Sequence, residues 1–127
     1  MAGRGGWEGC RFGFEGLEIW HRARAYAAKV YGLTARFPRR EDYGLTSQLN
    51  RAANSIALNI AEGSAKGTAK AFDYHLDVAV GSVFEVVSGG FLALDRGYIT
   101  SEEQQALYDE GEQLAKSINA FRRTLHP

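Results

Sequence analysis

The sequence predicts an all-α protein, an antiparallel up-and-down four-helix bundle, and three observations carry that prediction. Apolar residues recur at alternating spacings of three and four in four separate stretches, the period of one helix face. Prolines stand only at positions 38 and 127, and no alternating run of β-branched residues is long enough for a strand. The four stretches are joined by connections of about four to eight residues, short enough to set neighbours antiparallel. A chain of 127 residues, 45% hydrophobic and 24% charged, has the size and composition of one globular domain.

Six glycines fall within the first sixteen residues, a density that opposes helix. Residues 1–14 therefore read as a flexible tail with scattered aromatics and residues 15–127 as the bundle domain; the lesser alternative is that Trp7, Phe12 and Phe14 anchor the tail to the body or to a partner. The first helix carries Trp20, Ala23, Ala27, Val30, Thr34 and Phe37 on one stripe and should stop before Pro38, because a residue preceding proline avoids helical angles. The second, within Tyr43 to Glu62, aligns Leu45, Leu49, Ala52, Ile56 and Ile60, with Gly63 where a left-handed residue would end it. The third aligns Phe72, Leu76, Ala79, Val83, Val86, Gly90 and Leu94, with Gly97 as its terminator. Thr100 and Glu103 form an S/T-x-x-E capping box, and Leu107, Gly111, Leu114, Ile118, Phe121 and Leu125 make the fourth stripe.

Between Asp77 and Asp95 the third helix reads VAVGSVFEVVSGGFLAL, seventeen residues with one charge, Glu85. A bundle helix needs only an apolar stripe of about 100°, and this one is apolar or small nearly all round. The run falls short of the roughly 20 apolar residues of a membrane span, so no membrane partner is expected. Burial against another copy of the chain through Val83, Val87 and Phe91 explains it better, with Gly81, Gly89 and Gly90 admitting a close approach. The alternative is a central helix covered by the tail.

Net charge is zero, which excludes a whole-surface field for nucleic acid or anionic lipid. It is uneven, however: residues 1–70 hold eleven Lys or Arg against six acids, and residues 71–127 hold four against nine. Such halves suit a head-to-tail contact between copies or pair within one chain. Candidate contacts to nucleic-acid phosphates are Arg36, Arg39, Arg40, Arg51, Lys66 and Lys70.

No catalytic or metal-binding pattern emerges. Glu18 and His21 make one E-x-x-H where a di-iron bundle uses two, on the face away from the stripe. HExxH, GxSxG and Walker A patterns are absent, and GSAKGT at 63–68 is an interhelical turn. The expectation is a non-enzyme without cofactor. The lone Cys10, on the tail, excludes an intramolecular disulfide and a cysteine zinc site, and MAGRGGWEGC lacks a secretory h-region, so a cytoplasmic location is expected. Gln48, Ser55, Asn59 and Glu62 on the second helix and Ser82 and Glu85 on the third lie close to the apolar stripes. They are candidates for an interhelical polar network or, alternatively, a ligand site.

FEGLEIWHRA at 14–23, Tyr31 with Phe37-Pro38, YGLTSQLNRAANSIALNIAEGSAKG at 43–67, AVGSVFEV at 79–86 and RGYIT at 96–100 together resemble the four helix bundle proteins related to the 23S rRNA intervening-sequence proteins. QLNRAANSIALNIAEG is the most specific part. The resemblance implies an up-and-down bundle assembled as a homopentamer, without established catalytic activity. The architecture is also similar to the accessory variability determinant proteins of diversity-generating retroelements, pentameric barrels that bind a reverse transcriptase and nucleic acid. Those proteins are strongly basic, whereas this chain is neutral. The resemblance implies fold and assembly roles for Gln48, Arg51, Ser55, Asn59, Glu62, Gly63, Ser82 and Glu85.

Overall fold

The computed structural model describes residues 11–126. Four helices account for most of them: α1 (Glu18–Thr34), α2 (Leu45–Ser64), α3 (Ala69–Asp95) and α4 (Ser101–Thr124). Each packs on its sequence neighbour, α2 against α3 most extensively, and α1 closes the bundle on α4. This is the expected all-α, up-and-down arrangement.

The core is the set of stripes read from the sequence. Ala23 and Val30 of α1, Ile56 and Ile60 of α2, Leu76 and Val86 of α3, and Leu107, Leu114 and Ile118 of α4 are all buried. Tyr26 is buried too, and its hydroxyl donates to the Leu107 carbonyl at 2.8 Å, tying α1 to α4. Burial pushes this phenol well above its ordinary value, with the carboxylate of Glu110 adding to the effect.

The helix ends show where local rules held. Thr100 accepts from the Glu103 amide at 3.1 Å while Glu103 accepts from the Thr100 amide at 2.9 Å, the reciprocal capping box. Gly97 adopts φ +76 just after α3, as expected of a terminating glycine.

Two expectations are corrected. The first helix ends at Thr34, three residues earlier than the stripe suggested; Phe37 lies in the turn and is buried against Tyr98, ring centroids 5.1 Å apart. Gly63 is not the terminator of α2, for the left-handed residue is Gly67 at φ +81. Gly63 sits inside the helix because a Cβ there would lie 2.8 Å from His75 Cβ and 2.8 Å from Phe72 Cδ1 of α3. Of the tail, residues 1–10, with Trp7 and Cys10, lie outside the described residues, whereas 11–14 lead into a 3-10 turn, Gly13–Gly16. There Phe14 packs on Trp20 at 4.7 Å between ring centroids.

By length and composition α3 could cross a membrane, with 27 residues and a mean hydropathy of 1.6 over its most apolar window. Its buried stripe, Leu76, Ala79, Val83, Val86 and Ala93, instead forms part of the bundle core.

Candidate functional site

The outer side of α3 presents an open apolar surface. Phe84, Phe91 and Leu92 are 67%, 46% and 43% exposed, and Gly81, Glu85 and Ser88 share the exposed stripe. Two grooves flank this ridge. One, of about 440 Å³, runs between α2 and α3 and is lined by Leu45, Gln48, Gly81, Phe84, Glu85 and Leu92. The other, of about 530 Å³, runs between α3 and α4 past Val87, Phe91, Tyr108 and Ala115.

The candidate interface residues separate on this surface. Phe91 is on the ridge and Val87 is half-buried in the α3–α4 groove. Val83 is only 2% exposed and belongs to the bundle's own core, because α3 places it on the face turned toward α4. Phe84 and Leu92 are the exposed residues missed from the sequence; both stand in the apolar run that drew attention to α3. The glycines separate likewise. A Cβ on Gly89 would lie 2.6 Å from Leu49 Cδ2 of α2, and one on Gly90 would lie 2.0 Å from Gln104 Oε1 of α4. These two glycines therefore serve close approach within the chain, and only Gly81 of the three faces open space.

Four of the six proposed network residues come together, with His75 as a fifth. Ser82 donates to Ser55 Oγ at 2.9 Å, and Asn59 Nδ2 donates to Ser55 Oγ at 3.0 Å and to the Ser55 carbonyl at 2.9 Å. That orientation leaves Asn59 Oδ1 to accept from His75 Nδ1 at 3.1 Å, and His75 Nε2 lies 3.9 Å from Glu62. The network stitches α2 to α3 in a fixed register. His75 stands seven residues before Ser82, hence on the same helix face, the signal by which the sequence could have disclosed it. Gln48 and Glu85 stay outside: both are exposed in the α2–α3 groove, and neither makes a side-chain hydrogen bond or ion pair among the described residues.

The six proposed nucleic-acid contacts do not form one patch. Arg36, Arg39 and Arg40 lie at the α1–α2 turn, and Lys66 and Lys70 lie at the opposite end of the bundle. Arg36 donates to Glu103 at 2.7 Å, which holds that carboxyl below its ordinary value, and Lys66 stands 3.5 Å from Glu62. Arg40 sits over the Tyr98 ring at 6.0 Å. Arg39, Arg51 and Lys70 are exposed and form no ion pair among the described residues. Arg51 lines a third groove, about 680 Å³, between α1 and α2 with Tyr31, Asn54 and Leu58. Tyr31 accepts there from Asn54 Nδ2 at 2.8 Å.

The E-x-x-H of α1 is not brought together as a metal site: Glu18 is exposed, while His21 Nε2 is 2.9 Å from the Glu15 carbonyl. Among the described residues no three His, Cys, Asp or Glu side chains are placed to share a metal ion.

The sequence that builds this bundle matches a known family. The family model of the 23S rRNA-intervening sequence protein matches residues 15–120. The chain belongs to that family. Its fold is similar to the crystal structure of a protein of unknown function from the S23 ribosomal protein family of Bacteroides thetaiotaomicron VPI-5482, with TM-score 0.75 and 18% sequence identity. That match covers 82% of this chain and 97% of the other. No curated protein matches the chain. The matched residues include the run from Gln48 to Gly63, which supplies the α2 half of the network and the close contact with α3.

Proposed function

We propose that this member of the 23S rRNA-intervening sequence family works as a non-catalytic, self-assembling scaffold, a homopentamer built through the outer face of α3. The observation that carries this reading is the ridge of Phe84, Phe91 and Leu92 with an apolar groove on each side. An open, contiguous apolar surface of this kind favours burial against another protein surface. Pentameric number comes from the resemblance to four helix bundle relatives. The hydrogen bonds that Ser55, Asn59, Ser82 and His75 make with one another across α2 and α3 support a structural role.

Native mass spectrometry or sedimentation equilibrium tests it. The expected result is a particle of several copies at micromolar concentration; a single 14.0 kDa species throughout would refute self-assembly.

A second reading adds RNA, or a nucleic-acid enzyme such as a reverse transcriptase, as the scaffold's partner. Arg39 and Lys70, without an ion pair among the described residues, favour it, since a ring repeats even a weak phosphate contact on every subunit. Titration with single-stranded and duplex RNA should then show affinity falling steeply with salt. No binding at low salt would remove this reading and leave a pure protein-interaction oligomer.

A further inference from the structure

We propose that copies join head to tail, the α3 ridge of one subunit seating in the α1–α2 groove of the next so that Glu85 pairs with the neighbour's Arg51. This inference rests on the self-assembly reading and names the surface that receives the ridge. Three observations on the two surfaces carry it.

The first is charge. Glu85 is the only charged residue of the run from 78 to 94, and it has no partner within its own chain among the described residues. Covering the ridge removes water from this carboxylate, which is costly unless a cation meets it. Among the described residues Arg51 is an exposed cation without an ion pair on the α1–α2 groove, and the other candidates without one, Arg39 and Lys70, sit toward the bundle's two ends. Lys70 lies fifteen residues before Glu85 on α3, about 22 Å along the axis.

The second is height. Members of a closed ring are related by rotation without translation, so when the ring axis runs along the bundle, residues that meet must stand at one level. The Ser55–Ser82 hydrogen bond and the seating of Gly89 on Leu49 fix the α2–α3 register. In that register Arg51 is level with Val86 and Val87, within about 2 Å of the height of Glu85. Tyr31, bonded to Asn54, is level with Phe84 by the same register. Leu58 is level with Val80, one residue from Gly81.

The third is shape and polarity. Leu58 is 65% exposed and Tyr31 is 44% exposed, so the groove presents its own unburied apolar surface. Gly81 opens space on the ridge at the height of Leu58, and a Cβ there would meet nothing within 4 Å. Ridge and groove thus set Leu58 against Gly81, Tyr31 against Phe84 and Arg51 against Glu85. A like-on-like α3 contact would instead bring two Glu85 carboxylates together, which disfavours it.

Charge reversal tests the pairing. E85R and R51E are made singly and combined in one chain, with the dissociation constant of the assembly read by sedimentation beside the wild type. Both positions are exposed, so far-UV circular dichroism and melting at a concentration where all variants are monomeric check the fold. Each single change should weaken assembly at least tenfold, and the combined variant should regain most of that loss. Singles that assemble like the wild type, or a combined variant as weak as the singles, overturn the pairing while wild-type assembly stands. Loss with E85R and none with R51E overturns it in favour of an α3 contact to a different surface. A monomeric wild type defeats the self-assembly reading itself.

Discussion

Replacing Gly90 by alanine probes how tightly α3 is fitted inside the bundle. In an exposed helix, Gly→Ala stabilises by about 1 kcal/mol, because alanine loses less backbone freedom on folding. At Gly90 the added Cβ would lie 2.0 Å from Gln104 Oε1 and 2.9 Å from its Cδ. Gln104 is 3% exposed, and its Nε2 donates to the Val87 carbonyl at 3.1 Å. The amide cannot swing into water without breaking that bond and opening the α3–α4 seam. Overpacking costs about 1–3 kcal/mol, and a buried amide stripped of its partner costs about 1–3 kcal/mol more. The gain in helix propensity offsets only part of this, so Gly90→Ala should destabilise by about 2–4 kcal/mol, a fall in Tm of roughly 8–15 °C for a chain of this size. Gly32→Ala in α1, where a Cβ meets nothing within 4 Å, is the control and should stabilise by up to about 1 kcal/mol. Thermal and urea unfolding at matched protein concentration measures both. Adding Gln104→Ala to Gly90→Ala should cost less than the sum of the two single changes, since the clash is already gone. A Gly90→Ala protein as stable as the wild type would refute the argument.

Charges introduced along α3 should sort by side. Val83→Asp buries a carboxylate in the core and should cost several kcal/mol and the native fold, whereas Phe91→Asp on the ridge should keep the circular dichroism spectrum and reduce the particle mass; equal effects on folding would contradict the sorting. Ser82→Ala removes the hydrogen bond to Ser55 and should cost about 1 kcal/mol in urea unfolding, with no loss expected if the α2–α3 network contributes nothing. Arg122 donates to both carboxylate oxygens of Asp73, at 2.8 and 3.2 Å, and holds that carboxyl below its ordinary 3.8. Glu41, bonded by Tyr98, and Glu103, bonded by Arg36, are likewise lowered from 4.5. The unfolded chain binds these protons more readily, so the stabilisation is fully present above the ordinary values and is lost as pH falls through the lowered ones. Melting temperature should therefore drop below about pH 4, and Asp73→Asn should melt lower at pH 7 with a shallower acid decline; an unchanged acid limb would contradict the link.

The fold was legible where one local rule decides. Stripes of period 3.6 located four helices, and the box from Thr100 to Glu103 located the start of α4, because both depend on residues a turn apart. The glycines were less legible. Gly63, Gly89 and Gly90 look in sequence like terminators or docking points for another molecule, yet each is small because a side chain from a neighbouring helix of the same chain occupies the space. That depends on contacts between helices, which spacing along one helix does not encode. The polar network was half legible: Ser55, Asn59 and Ser82 sit beside the stripes, but Gln48 and Glu85, with the same periodicity, fall just past the seam and face the groove. Val83 turns into the bundle core, not outward, for a related reason. An apolar run all round a helix says that two sides are covered, not which residue faces inward. The basic residues were the least legible, since Arg36 and Lys66 find acidic partners, Arg39, Arg40 and Lys70 lie toward the two ends of the bundle, and Arg51 lies between them on α2.

The central claim is that the α3 ridge is covered by another copy of the chain. Mass measurement of the native particle across a wide concentration range tests it most directly. Five copies of the 14.0 kDa chain, about 70 kDa, is the result this account predicts. One copy at every concentration, with the ridge in water, would contradict it.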